Sequence, residues 1–144
     1  MSQHVIVFDF NRTLYDPAQG ALVPGALEVL ARLQRRYTLA LFSRAIPTRT
    51  ELIRSLGLAS FFSEIVVSRR KSQRELQRIV KGCAIGNSFV IGDRVRKEIA
   101  LGNRLGLQTV WVRQGKFASE LPRSAEEQPT FTVSRLQDIL EILP

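Results

Sequence analysis

Two observations predict an α/β fold whose parallel sheet is covered by helices on both faces. Short apolar runs alternate with helical patterns at least four times along the chain. Those runs are rich in β-branched and aromatic residues and lack clean polar alternation, as strands buried on both faces do. The 144 residues fit one domain, read as residues 1–144, with no internal repeat.

The elements follow in order. HVIVFDF (4–10) is the first strand, and residues 25–36 form a helix with Ala26, Leu27, Val29, Leu30 and Leu33 on its apolar face. YTLALFS (37–43) is the second strand, followed by a helix over 48–56 that carries Leu52, Ile53 and Leu56. EIVVS (64–68) is the third strand. Ser72 and Glu75 then stand at capping-box spacing and open SQRELQRIV as a helix. SFVIGD (88–93) is the fourth strand, Val95, Ile99 and Ala100 mark the next helix, and Gly106 is placed to end it. LQTVWVR (107–113) is the fifth. The polar stretch 115–129 reads as a surface loop, ahead of a short strand at 130–133.

Apolar residues make up 44% and charged residues 24% of the chain, which places it among soluble globular proteins. No apolar run approaches the ~20 residues that a membrane span needs, and the N-terminal MSQHVIVFDF does not read as a signal peptide. The lone cysteine, Cys83, forms no internal disulfide, so a cytoplasmic location is expected. A net charge of +8, mostly arginine, favours anionic partners: phosphorylated molecules or nucleic acid. The charges are scattered along the sequence, which equally suits a solvated surface. SRRKSQRELQR (68–78), the densest run, has no interleaved aromatic residue. His4 reads as strand-edge packing and Cys83 as a loop residue.

In an open parallel sheet, ligands bind at the carboxyl ends of the strands, where the strand order reverses. The first strand ends at Asp9, with Asn11 and Thr13 beyond it, and the second at Ser43-Arg44. Arg69-Arg70-Lys71 follows the third, and the fourth ends at Gly92-Asp93. Two carboxylates, a hydroxyl and an ammonium therefore meet at one sheet edge. That set suits an anionic, phosphate-like substrate beside a hard cation. Two carboxylates can hold Mg²⁺, which offsets repulsion between Asp9 and a phosphate and lets the carboxylate act as a nucleophile.

DFNRT, LFSR, Lys71 and GDRVRKE, in this order and spacing, resemble the four motifs of the haloacid dehalogenase-like (HAD) superfamily. The likeness runs from residue 5 to about residue 113, and NRLGLQTVWVRQGKF resembles the phosphatase-like branch after the fourth motif. The resemblance implies a three-layer Rossmann-like sandwich with about five parallel strands in the order 5-4-1-2-3. It further implies that Asp9 is the nucleophile of a Mg²⁺-dependent phosphohydrolase, through an aspartyl-phosphate. Asp9, Asp93 and the Asn11 carbonyl would hold the metal, with Glu98 as a further acid. Thr13, Ser43, Arg44 and Lys71 would bind the substrate's phosphate, and Lys71 would also serve catalysis. Cap domains of the family are inserted after the first motif or between the second and third. Here neither gap has room for one, so no cap domain is expected, and residues 12–24 are the only partial cover. Such an open site takes small or macromolecular substrates, or works enclosed by a second subunit.

Asn11 departs from the family pattern, which has Asp there as general acid and base. Asn can lend its carbonyl to a metal but exchanges no proton. Four readings follow: a phosphohydrolase with weakened acid–base help, a phosphate- and metal-binding regulatory domain, dehalogenase-like chemistry, and a laboratory replacement of Asp by Asn; the open site and the charge add a nucleic-acid end phosphatase. Ordinary roles stay open as well: Ser43 as a helix cap, Lys71 and Glu98 as surface charges.

Overall fold

The computed structural model describes residues 3–143. Among these residues the chain forms β1 (Val5–Phe8), β2 (Tyr15–Asp16), β3 (Ala21–Leu22), α1 (Ala26–Leu33), β4 (Thr38–Arg44), α2 (Arg49–Ser55), β5 (Glu64–Ser68) and α3 (Gln73–Ile79). It continues through β6 (Phe89–Gly92), α4 (Ala100–Arg104), β7 (Gln108–Val112) and β8 (Phe131–Val133). Six strands make one parallel sheet, ordered β5-β4-β1-β6-β7-β8. From β7 to β5 this is the expected 5-4-1-2-3 order. The short strand β8 pairs with β7 and widens the sheet to six strands instead of about five.

Side chains alternate across the central strand because successive residues of a strand point to opposite faces. Ile6 and Phe8 pack with Val29, Leu30 and Leu33 of α1 and Ile53 of α2. Val5 and Val7 face the other way, against Leu76 and Ile79 of α3. Burying one such large apolar side chain contributes roughly 1.5–3 kcal/mol, so the two layers fix the register of the sheet. A one-residue slip of β1 would exchange its two faces.

Four expectations need correction. Helix α1 stops at Leu33, and Leu27 is 46% exposed, because the buried stripe is Ala26, Val29, Leu30 and Leu33 and Leu27 lies one step off it. The helix expected after Asp93 opens as a wide π-turn, Val95–Ile99, before α4. Residues 115–129 are no bare loop: they form short 3₁₀ turns at Gly115–Phe117 and Ala125–Glu127. The partial cover at 12–24 carries an antiparallel hairpin, β2 with β3.

The local signals at 72–75 and 106 hold. Ser72 and Glu75 form a reciprocal capping box at the start of α3. Gly106 takes φ 81 beyond α4, and the Gly106 and Leu107 N–H groups donate back to Asn103 and Gly102. His4 lies tilted against Tyr37, with ring centroids 6.5 Å apart, and Cys83 is half-buried. Among the described residues no helix is long and apolar enough to cross a membrane.

Candidate active site

Strand order reverses at β1, whose neighbours β4 and β6 are reached by crossovers in opposite directions. Asp9 directly follows β1, and its N–H donates to the Ile91 carbonyl at 2.9 Å. Asp93 directly follows β6, which pairs with β1 in register (Phe8 opposite Ile91). The topology thus brings two buried acids from adjacent strand ends together.

Glu98 joins them from the π-turn after Asp93. Its side chain lies so close to Gly92 that a Cβ there would sit 2.7 Å from the Glu98 Cβ. Gly92 therefore makes room for the third acid, a use beyond easing the strand's exit. One oxygen from each of Asp9, Asp93 and Glu98 lies within 4.8 Å of the others.

Lys71 holds this cluster together. Its Nζ donates to Asp9 Oδ1 at 2.7 Å and to Glu98 Oε1 at 2.8 Å. The backbone reaches that position through a left-handed turn, φ 48, with the Lys71 N–H donating to Ser68 Oγ. Arg69 and Arg70 are exposed, so Lys71 is the cation of that run that pairs with the buried acids. Neither Lys71 nor Glu98 is an ordinary surface charge.

Arg12 supplies a second counter-charge: its Nε donates to Asp93 Oδ2 at 2.8 Å. It does so from φ 60, an uncommon backbone conformation for a residue with a side chain. Gln114 Nε2, beyond β7, donates to the Arg12 carbonyl at 3.0 Å and braces the turn. Thr13 is buried, and its Oγ1 lies 3.4 Å from Asp9 Oδ2.

Ser43 is fully buried at the end of β4 and accepts a 2.8 Å hydrogen bond from Arg49 NH1. It is not a helix cap: the N-cap of α2 is Thr48, which makes no side-chain capping bond. Arg49 is itself buried, with its guanidinium 4.5 Å from the centre of the Phe10 ring. Asn11 is half-buried and lines the cleft, with a β-bridge to Tyr15.

Burial and the crowding of carboxylates raise the proton affinity of Asp93 and Glu98. Burial, with the charges of Asp9 and Glu98 adding to it, pushes the Asp93 carboxyl up to about 8, against the opposing pull of Arg12. Burial and then Asp9 also raise Glu98, against Lys71. Burial works against the Lys71 charge, yet Asp9 and Glu98 outweigh it and hold the ammonium above the usual lysine range. Asp93 Oδ1 and Glu98 Oε2 are buried without a hydrogen-bond partner. Orphaned carboxylate oxygens in a three-acid cluster fit a hard divalent cation, which takes oxygen ligands and neutralises their repulsion.

The acids lie in a cleft of about 750 Å³. Phe117, from the turn after β7, stands at its edge, with the Arg94 and Arg12 guanidinium carbons 4.0 and 4.8 Å from the ring centre. Arg94 also donates to Glu120 at 2.7 Å. The 115–129 segment therefore forms part of the cleft wall.

A model of the HAD-hydrolase-like family matches residues 67–139, the part that carries Lys71, Asp93 and Glu98. The chain belongs to this family. Among curated proteins, this HAD-like chain is 32% identical to a glyceraldehyde 3-phosphate phosphatase of Methanopyrus kandleri, over 69% of this chain and 45% of that protein. It spans about half the length of the curated relatives it matches. A haloacid dehalogenase-like hydrolase of Burkholderia xenovorans LB400 shares the fold at TM-score 0.81 and 17% identity, covering 99% of this chain and 97% of that one. The magnesium-bound HAD-hydrolase YfnB of Bacillus subtilis superposes at TM-score 0.71 and 23% identity, over 85% of this chain and 56% of that one.

Of the residues expected at the HAD-like site, Asp9, Asn11, Thr13, Ser43, Arg44, Lys71, Asp93 and Glu98 all gather at the one sheet edge. Arg12, Arg49, Trp111 and Phe117 were not anticipated. Arg49 precedes the buried Ile53 by four residues, so the helical period already places it on the inward face of α2. Trp111 donates from Nε1 to the Asp93 carbonyl at 2.9 Å, a tertiary contact with no local sequence signal.

Proposed function

We propose that the chain is a Mg²⁺-dependent phosphohydrolase acting through Asp9. The observation that carries this is the buried cluster of Asp9, Asp93 and Glu98, bridged by Lys71 and left with two unpartnered oxygens. Asp9, Asp93 and the Asn11 carbonyl would hold the metal, with Glu98 behind them. Bound there, Mg²⁺ supplies charge neutralisation between the carboxylates and an incoming phosphate.

The protein's own groups do the rest. Lys71 and Thr13 orient Asp9 through Oδ1 and Oδ2, and one carboxylate oxygen attacks phosphorus as the bond to the leaving oxygen breaks. Ser43, steadied by Arg49, and Lys71 bind the peripheral oxygens and stabilise charge on the transferring group. Arg44, exposed at the end of β4, adds a cation at the rim. Attack of water on the aspartyl-phosphate then releases phosphate and restores Asp9. Between β1 and β4 lie only the hairpin and α1, and between β4 and β5 only α2 and one 3₁₀ turn. The cleft is read as working without an inserted cap.

The direct test is hydrolysis of an aryl phosphate by the unaltered protein. Turnover that requires Mg²⁺ and stops on chelation is expected; turnover indifferent to chelation would refute the metal-dependent reading. Asn11 favours a second reading, a domain that binds metal and phosphate without turning over, because the amide cannot exchange a proton.

The metal can also be read in stability. Folded Asp93 titrates near 8 against an ordinary 3.8, so the metal-free protein keeps a proton that the unfolded chain gives up. The contribution of this group is therefore complete below about pH 4 and is lost as pH climbs through 8. Thermal melts in chelator should show stability falling from about pH 5 to pH 8 and levelling above, and the Mg²⁺-induced rise in Tm should grow over the same range. A Mg²⁺ effect independent of pH would separate the metal from these carboxylates.

A further inference from the structure

The basic residues that look scattered in sequence are gathered in space. Nine cationic side chains line the cleft against three carboxylates, a surplus of six positive charges in a chain of formal charge +8. The remainder, 12 cations and 10 carboxylates, is close to balanced. Catalysis on a single phosphate does not need this surplus: Arg12 and Lys71 already pair with the buried acids, and Arg94 pairs with Glu120.

The excess is concentrated at the β4–β5 corner. Arg44 ends β4 opposite Ser68 in the sheet register, and Arg69 and Arg70 follow Ser68 directly. The Ala45 N–H donates to the Ser68 carbonyl at 2.7 Å and ties the two strand ends together. Arg44, Arg69 and Arg70 are exposed, line the same cleft as Asp9, and have no carboxylate partner among the described residues. Beside them the guanidinium of Arg49 is buried in the cleft wall with its Nε unpartnered.

We infer that Arg44, Arg69 and Arg70 form a second anion subsite, so that the substrate is a small molecule bearing at least two phosphate groups. The inference rests on the phosphohydrolase reading and specifies its substrate class. Arginine suits the task because its planar fork pairs with two phosphate oxygens at once. Three unpaired guanidinium groups next to a low-dielectric cleft focus attraction on a second charge. A nucleic-acid strand fits less well. Strand-binding grooves stack successive bases on aromatic rings, whereas the one aromatic ring lining this cleft, Phe117, is taken up by Arg12 and Arg94.

Calorimetry at physiological ionic strength compares propyl phosphate with propane-1,3-diyl bisphosphate on the same chain. The bisphosphate is expected to bind at least about tenfold tighter, beyond the twofold that a second equivalent end gives statistically. In the double variant Arg69→Ala/Arg70→Ala the ratio should fall to about two while propyl phosphate affinity stays unchanged. A ratio near two in the unaltered chain, or a large ratio that survives the double variant, overturns the subsite. A 5′-phosphorylated oligonucleotide that binds tighter than the bisphosphate, with affinity falling steeply with salt, overturns the small-molecule class. Absent aryl phosphate turnover with the affinity ratio intact supports the subsite and refutes the catalytic reading instead.

Discussion

Replacing Asp9 by Asn should lower aryl phosphate turnover by about four orders of magnitude or more while leaving the fold intact. On the proposed mechanism the loss is large because Asp9 is the nucleophile, and an amide oxygen does not form the aspartyl-phosphate through which both half-reactions would run. The intact fold follows from shape and charge. Asn has the size of Asp, its oxygen can still accept from Lys71 Nζ, and its N–H can still donate to Ile91. Removing one of three crowded carboxylates also relieves the pressure that raises Asp93 and Glu98, so the metal-free melting temperature should not fall. Lys71 keeps Glu98 as its partner and is not stranded. Initial rates and thermal melts of the two proteins check both halves. Residual turnover above a tenth of the original would mean that another group, or solvent, attacks phosphorus.

The sheet was legible because its central strands are short apolar runs buried on two faces, a pattern that owes little to distant contacts. The six-strand width was less legible, since Phe131–Val133 is a short edge strand with one residue exposed and one half-buried. The meeting of Asp9 and Asp93 could be read from topology alone: a residue just after a central strand must lie at the carboxyl edge. The same rule brings Arg44, Arg69, Arg70 and Arg94 to that edge, but their spread along the sequence hides how concentrated the charge is. Each crossover returns the chain to the same edge, so Arg12, Arg44, Arg70, Arg94 and Lys116 are one crossover apart in sequence and share one cleft in space. Linear spacing therefore made a concentrated field look diffuse. Glu98 was placed by resemblance, but its burial depends on Gly92 lacking a side chain. Arg12 sat inside the first motif unnoticed because its pairing with Asp93 spans 81 residues.

The amide at position 11 has the most informative reversal. Asn11→Asp is expected to raise turnover of an alkyl phosphate by about 10²–10⁴-fold, the usual worth of general acid–base help. The same change should raise aryl phosphate turnover less than tenfold, because a phenolate departs with little protonation. The contrast between leaving groups carries the argument, since a general gain could come from tighter metal binding alone. The substitution adds a fourth acid beside Asp9, Asp93 and Glu98, of which Asp93 and Glu98 are already raised by burial and by neighbouring charge. Asn11→Asp should therefore be less stable than the parent in chelator at pH 8 and recover in Mg²⁺. Equal, small gains on both substrates would mean that residue 11 does not reach the leaving oxygen. If parent and variant are both inert while Mg²⁺ and phosphate still bind, the chain is a binding domain on a hydrolase scaffold. In that case Asn11 marks the proton transfer that the domain has given up.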